Sequence, residues 1–294
     1  MKCVGLVTVT YHSGAVIDGF LDSLYAQDFS RWRLYVVDNA STDDSLGRVR
    51  RDAATDARIV VVANGANRGV AAGNNQGIAA ALADGCDGVL LINNDVEFGP
   101  ALLSGMIAAM KSLGAEMLVP KIYYYEPKTR IWCAGGRFRR ARGYMTDHFG
   151  EDEEDVGQYD TARRIEYAPT CCMLVQAEVF ARIGLMDEKF FVYFDDTEFC
   201  YRALKGGVRF WYSPTPVLYH KVNSLTGTGS DFSAFNSALG QAYFLRKHKP
   251  ATKFLWLALV QAKYFVRAAQ GAFSAAARAR FGVEQKGFWA GMAR

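Results

Sequence analysis

Val4-Gly5-Leu6-Val7-Thr8-Val9-Thr10 is rich in β-branched residues and stops at Tyr11-His12-Ser13-Gly14, the pattern of a buried strand running into a turn. Behind it, Val16, Phe20, Leu21 and Leu24 recur at helical spacing between Ala15 and Tyr25. The alternation then repeats. Leu34-Tyr35-Val36-Val37 ends on Asp38, and Ser41-Thr42-Asp43-Asp44 offers N-cap chemistry to the next helix. Ile59–Val62 and Val89–Ile92 are further strands, separated by an Ala-rich helix over about 71–82. Continuous apolar strands separated by helices predict an α/β fold of βαβ units, with a parallel sheet covered on both faces. Ligands of such sheets bind beyond the carboxyl ends of the strands, which singles out Tyr11, Asp38, Asn67 and Asp95.

Outward from this core the chain is less regular. Residues 123–165 hold a tyrosine triplet, a basic cluster (Arg137, Arg139, Arg140, Arg142) and an acidic run from Glu151 to Asp155, and read as a long excursion from the sheet. Strand character returns over Tyr167–Val175. A short helix over 198–206 ends at Gly206-Gly207. Val208–Tyr212 and Val217–Tyr219 are two more strands, and beyond Asn236 the pattern is helical.

Of the 294 residues half are hydrophobic and 13% aromatic, enough for a packed core and too much for a disordered chain. No run of 18 apolar residues occurs, so no transmembrane helix is expected. The N-terminus lacks the layout of a secretion signal. The six cysteines form no C-x-x-C pair and read as buried, reduced thiols of a cytosolic protein. The net charge of +4 conceals a split. Residues 246–294 hold ten Lys or Arg against the single acid Glu284, a balance of +9, which leaves −5 on residues 1–245.

Six segments occur in order: Thr8-Val9-Thr10-Tyr11-His12; Val36-Val37-Asp38-Asn39-Ala40-Ser41; Asn67-Arg68-Gly69-Val70-Ala71-Ala72-Gly73-Asn74-Asn75; Asn93-Asn94-Asp95; Gly184-Leu185-Met186-Asp187-Glu188-Lys189-Phe190-Phe191; and Asp195-Asp196-Thr197-Glu198, with His220 later. Over residues 3–225 this series resembles the family 2 glycosyltransferases of GT-A fold, especially the rhamnosyltransferase-like branch. The resemblance implies a Rossmann-like, mixed, mainly parallel sheet flanked by helices, with a helical C-terminal appendage. It implies a catalytic domain over 1–235 (nucleotide-binding half 1–120, acceptor half 121–235) and a basic helical extension over 236–294. It also implies inverting transfer of a sugar from a nucleotide diphosphate, with Mg or Mn as cofactor. The donor suggested by the branch is dTDP-L-rhamnose, with a UDP-hexose as the alternative.

The residues carry chemistry of their own. Asp38 can accept an N–H from a pyrimidine ring, or act as a turn aspartate before Ser41. Thr10 and Tyr11 flank the same place, Tyr11 as a stacking partner or as core. The Gly- and Asn-rich segment 64–77 permits close approach of a ligand, and the helix after it presents N–H groups. By resemblance Asn67, Arg68, Gly69 and Asn74 contact the donor; the alternative is a connection shaped for packing. Asn93-Asn94-Asp95 resembles the D-x-D element with Asn at its first acidic position. Asp95 is a hard oxygen ligand, and Asn93 can hydrogen-bond a ribose hydroxyl but adds no charge to hold a metal. Asn94 is turned by the resemblance toward the donor, and His220 is the second candidate ligand, its imidazole suiting Mn better than Mg.

Three carboxylates within Asp195-Asp196-Thr197-Glu198, behind the aromatic run Phe190–Phe194, raise the proton affinity of at least one. Such a carboxylate suits a general base toward a sugar hydroxyl. The resemblance gives that role to Asp196, has Asp195 orient the acceptor or the base, and turns Tyr193 toward the acceptor; Asp187 and Glu188 read equally as acceptor-binding or as a helix-to-strand turn. The competing reading is an acidic turn at a helix start. Nothing singles out a separate nucleophile, consistent with one displacement and inversion.

Residues 246–270 interleave Phe254, Leu255, Trp256, Leu257, Leu259, Val260, Tyr264, Phe265 and Val266 with Lys247, Lys249, Lys253, Lys263 and Arg267. Two readings stand: peripheral contact of 246–294 with anionic membrane, or a helix packed on the body or on a second copy in a homo-oligomer. An acidic body without a helix-turn-helix or zinc pattern argues against nucleic acid. The expected role is extension of a bacterial surface polysaccharide on a glycan or lipid-linked acceptor, in the cytoplasm at the inner membrane face. A nucleotidyltransferase lacks its Lys-bearing phosphate loop here, and a non-catalytic nucleotide-sugar binder is the remaining alternative.

Overall fold

A computed structural model describes residues 1–222, 230–248, 252–270 and 274–294. Its first half is β1 (Val4–Thr10), α1 (Ile17–Tyr25), β2 (Trp32–Asp38), α2 (Ser45–Ala53), β3 (Ile59–Ala63), α3 (Val70–Ala83) and β4 (Gly88–Ile92). The four strands are parallel in the order β4-β1-β2-β3. Alternate side chains enter opposite cores: Val7, Val89 and Leu91 lie in one cluster, and Leu6, Leu34, Val36 and Leu90 in the other. That two-sided burial is why these strands are apolar throughout. Thr10 is in register with Asp38, so β1 and β2 end level. Just past those ends, His12 (φ 53°) and Ala40 (φ 62°) adopt left-handed backbone, a strain non-glycine residues hold only when their surroundings fix it.

The second half runs β5 (Val96–Phe98), α4 (Leu102–Leu113), β6 (Met117–Tyr124), β7 (Ile131–Cys133), β8 (Gly136–Arg139), β9 (Met145–His148), β10 (Arg163–Arg164), β11 (Cys172–Gln176), α5 (Ala177–Ile183), α6 (Asp195–Lys205), β12 (Phe210–His220), α7 (Asp231–His248), α8 (Lys253–Gln270) and α9 (Ala275–Ala293). The full sheet order is β10-β12-β6-β11-β4-β1-β2-β3, with β5 on β12 and β7 on β6. Strand β11 runs antiparallel to both neighbours, and β12 is parallel to β6. The sheet is thus mixed and mainly parallel, as expected.

Three expectations need correction. The two strands after Gly207 are one strand, β12, whose register shifts between Tyr212 and Val217 where Pro214 and Pro216 interrupt the ladder. The helix placed at 198–206 starts at Asp195, so both aspartates belong to its first turn. The boundary at residue 235 falls inside α7, because Ala238, Ala242, Phe244 and Leu245 share a core with Phe190, Phe199 and Tyr201. Helix α9 then lies against α7 backbone to backbone. A Cβ on Gly287 or Gly291 would come within 2.2 Å of the Phe235 or Leu239 carbonyl oxygen. All six cysteines are free, five of them buried. Lys249, counted in the basic tail, lies outside the described residues.

Candidate active site

The carboxyl edge of β1, β2 and β4 gathers the first group of residues. Asp38 is 1% exposed, and its two oxygens accept from Thr10 Oγ1 (3.0 Å) and the Ser41 amide (3.0 Å). Each oxygen keeps a further lone pair. Tyr11 is exposed at this edge and stacks on His12, 4.1 Å between ring centroids, so it is not core. Asn93 is exposed, whereas Asn94 is buried and donates to the Val9 carbonyl at 2.9 Å, tying β4 to β1.

The turn carrying Asp95 is held on three sides. The Asn93 amide donates to Cys171 O, Asn94 to Val9 O, and the Lys221 amide to Asp95 O. Strand β5 pairs antiparallel with β12, setting Val96 opposite His220. This pairing brings His220 Nε2 to 3.2 Å from Asp95 Oδ1, both residues being more than 90% buried. Trp132 from β7 lies edge-on to the His220 ring at 4.4 Å. Among the described residues no group of three His, Cys, Asp or Glu could hold a metal ion. The donor set is therefore one carboxylate and one imidazole, which fits a cation whose other ligands arrive with a phosphate-bearing molecule.

The acid pair sits at the amino end of α6. Tyr193 (φ 61°) and Phe194 (φ 64°) precede it in left-handed backbone, and this sharp reversal drives Asp195 inward. Asp195 is 5% exposed, and burial, then the charge of Asp196, pushes its carboxyl up to about 8. Asp196 is half-buried; burial raises it too, against the hydrogen bonds of Tyr167 and Thr197 and the nearby His148. Tyr167 Oη donates to Asp196 Oδ2 at 2.8 Å, and the Thr197 amide to Oδ1 at 2.6 Å. The two carboxyls are adjacent and both raised by burial, so they titrate as a pair.

A continuous line of rings joins the two acidic centres. His220 touches Trp132, Trp132 lies edge-on to His148 at 5.1 Å, and His148 stacks on Tyr167 at 5.7 Å. These rings run from the neighbour of Asp95 to the hydrogen-bond partner of Asp196. Trp132, His148 and Tyr167 were not singled out from sequence. Two of them sit within the irregular excursion, where no motif marks them. Tyr167 opens a strand-like run and reads there as core.

Other candidates are held in packing contacts. Asp187 accepts from Tyr243 Oη (2.9 Å), Lys247 Nζ (2.7 Å) and the Lys189 amide (3.0 Å), so its carboxylate is spent on α7. Glu188 is exposed and accepts from Asn75 at 3.0 Å. Glu198 is fully buried. Burial would raise it, but His248, Arg202 and Lys247 together hold it below the usual carboxylate range. It joins α6 to α7.

The segment 64–77 also differs from its reading as a set of open amides. The Val70 amide at the start of α3 donates to Phe191 O at 2.7 Å, and Asn67 Oδ1 accepts from the Gly69 amide at 2.9 Å. Gly69 (φ 84°) lies so close to Phe191 that a Cβ would sit 2.4 Å from its carbonyl oxygen, and Gly73 and Gly77 let α3 approach Val9 and Val7. Asn74 is buried in α3, while Arg68 is exposed. Much of the glycine and asparagine content therefore serves packing of α3 against the sheet and the 186–191 turn.

The model of the family "Glycosyl transferase family 2" matches residues 6–184. The low-salt glycan biosynthesis hexosyltransferase Agl10 of Haloferax volcanii is 25% identical over 208 residues, covering 70% of this chain; the chain spans 62% of that relative's length. The N-acetylglucosaminyl-diphospho-decaprenol L-rhamnosyltransferase of Mycobacterium tuberculosis is 26% identical over 250 residues, 77% of this chain and 78% of its own. In structure, the chain resembles the mannosyltransferase PcManGT from Pyrobaculum calidifontis in complex with GDP-Man and Mn2+ (TM-score 0.57, 17% identity, 99% of this chain and 86% of that one). The fold is GT-A, and the chain belongs to glycosyltransferase family 2.

Proposed function

We propose that the chain is an inverting, metal-dependent transferase. Its donor is a nucleoside diphosphate sugar, dTDP-L-rhamnose or a UDP-hexose. Its acceptor is a hydroxyl of a glycan or lipid-linked glycan, met at the cytoplasmic face of a bacterial inner membrane. The donor base lies at the ends of β1 and β2 against Thr10, Tyr11 and Asp38. Asn93 reaches the ribose and Arg68 the diphosphate, while Asn67, Gly69, Asn74 and Asn94 shape the backbone around them. Asp95 and His220 would hold Mg or Mn, which would supply positive charge beside a diphosphate leaving group. Tyr193 and the buried Asp195 border the acceptor.

In the reaction, Asp196 takes the proton of the acceptor hydroxyl as its oxygen bonds to the anomeric carbon. The bond from that carbon to the diphosphate oxygen breaks on the opposite side, and the nucleoside diphosphate leaves with the electron pair. One displacement inverts the configuration.

The observation that carries this reading is the partly buried Asp196 carboxylate at the start of α6, held by the Tyr167 hydroxyl and the Thr197 amide and set beside the buried Asp195. Asp196→Asn is expected to lower kcat by about 10²–10⁴-fold, with donor affinity, read by thermal shift with dTDP and UDP in the presence of Mn, within a few-fold of the parent. Retained turnover would overturn the base assignment. A parent protein that binds nucleotide sugar but transfers nothing to any glycan or lipid-linked acceptor would favour the non-catalytic alternative.

A further inference from the structure

Helix α8 is apolar on two sides. Leu257, Val260 and Tyr264 face inward and are buried, and Trp256 lies edge-on to Tyr144 at 5.9 Å. On the other side Phe254, Leu255, Leu259, Phe265 and Val266 are 49–72% exposed. Their spacing places them on one helical stripe, filled in by Ala258 and Ala262, which are also exposed. Single exposed apolar residues are ordinary, but five large ones in a row mark an interaction surface. The inner face already supplies what folding requires, so the outer stripe is left to a partner.

Charge identifies the partner. The only charged residues of α8 are Lys253, Lys263 and Arg267, and it has no acid. Lys263 lies beside Arg267 and beside the exposed Arg142 of the 140–142 turn; desolvation and these like charges lower its proton affinity. The nearby Glu284 is engaged by Arg267 at 2.9 Å. A stripe rimmed by cations would meet its own cations in a two-fold contact between copies, where one patch faces itself. Against anionic headgroups the same rim is favourable. No helix among the described residues is long and apolar enough to cross a membrane, so the stripe can only lie along one.

We infer that α8 docks the protein on an anionic lipid surface, its outer stripe entering the interface while Lys253, Lys263 and Arg142 meet headgroup phosphates. This deepens the proposal of a lipid-linked acceptor, and its readout is lipid binding without turnover, so the two fail separately.

The test is flotation of the full chain with phosphatidylcholine vesicles containing about 30% phosphatidylglycerol, compared with phosphatidylcholine alone. The protein is expected to float with the anionic vesicles only, and to be released in about 1 M salt, where screening shortens to ~3 Å. The combined variant Phe254→Ser, Leu255→Ser, Phe265→Ser, Val266→Ser is expected to bind at least about tenfold more weakly while keeping its thermal shift with nucleotide. Arg142→Glu with Lys263→Glu, which leaves the apolar stripe intact, is expected to lose the preference for anionic vesicles. Equal flotation of the variants, no flotation of the parent, or equal binding to phosphatidylcholine alone would overturn the inference. So would a lipid-free dimer abolished by the serine substitutions, since the stripe would then be an interface between copies.

Discussion

The phenol of Tyr167 donates a hydrogen bond to Oδ2 of Asp196 across 2.8 Å, joining the start of the β11 region to the first turn of α6. A hydrogen bond to the charged form of a carboxylate favours that form. Tyr167 therefore offsets part of the rise that burial imposes on Asp196 and holds its Oδ2, while the Thr197 amide holds Oδ1.

Tyr167→Phe removes that donor without changing the ring. Asp196 then holds its proton more tightly, and the acid limb of the kcat–pH profile is expected to move to higher pH. On the acid limb kcat should fall by up to about tenfold with KM for donor nearly unchanged, since one charge-assisted hydrogen bond is worth about 1.5 kcal/mol or more. A profile that shifts to lower pH would contradict the assignment.

Asp195 governs a pH dependence of stability. Its folded value of about 8 lies above its unfolded one, so between these the folded state binds more protons than the unfolded chain. Stability from this group is therefore full at low pH and is lost as pH rises toward 8. Asp195→Asn carries no titrating proton, and urea melts at pH 5 and pH 8 are expected to differ less in the variant than in the parent.

His220 is expected to matter to the cation and little to the fold. His220→Gln should raise the Mn concentration for half-maximal activity by about 10–100-fold, with kcat recovering at saturating Mn. Direct Mn titration with and without nucleoside diphosphate separates metal affinity from donor affinity. Unchanged Mn dependence would remove His220 from the ligand set.

Glu198 is buried among Arg202 (2.9 Å), Lys247 (2.7 Å) and His248 (3.0 Å). Glu198→Ala leaves Arg202 without its carboxylate and Lys247 with Asp187 alone, at a cost of about 3–5 kcal/mol. The melting temperature should drop by about 10 °C. Because its carboxyl is held low in the folded state, its contribution is present above the unfolded value near 4.3 and is lost as pH falls further. The gap between parent and variant is thus expected to close at acid pH.

Local pattern alone determined the parallel half of the sheet. Strands β1, β2 and β4 are buried on both faces, so each is a near-continuous apolar run whose carboxyl end is visible as the first polar residue: Asp38 after Val37, Asn93 after Ile92. Asp38 and Asp95 stand out in the sequence for that reason, and Asp195-Asp196 as part of three carboxylates within four residues behind an aromatic run. Segment 64–77 was misread in part, because a glycine needed for helix–sheet contact, such as Gly77 against Val7, looks the same in sequence as one that admits a ligand. Tertiary structure alone decided what surrounds the acids. His220 reaches Asp95 only through the antiparallel pairing of β5 with β12, and Trp132 and His148 arrive from an excursion with no periodicity of its own. Strand and helix periods report which face of an element is buried, a property of neighbours along the chain. Which distant groups share that burial is set by sheet order and register, and no window of sequence contains those.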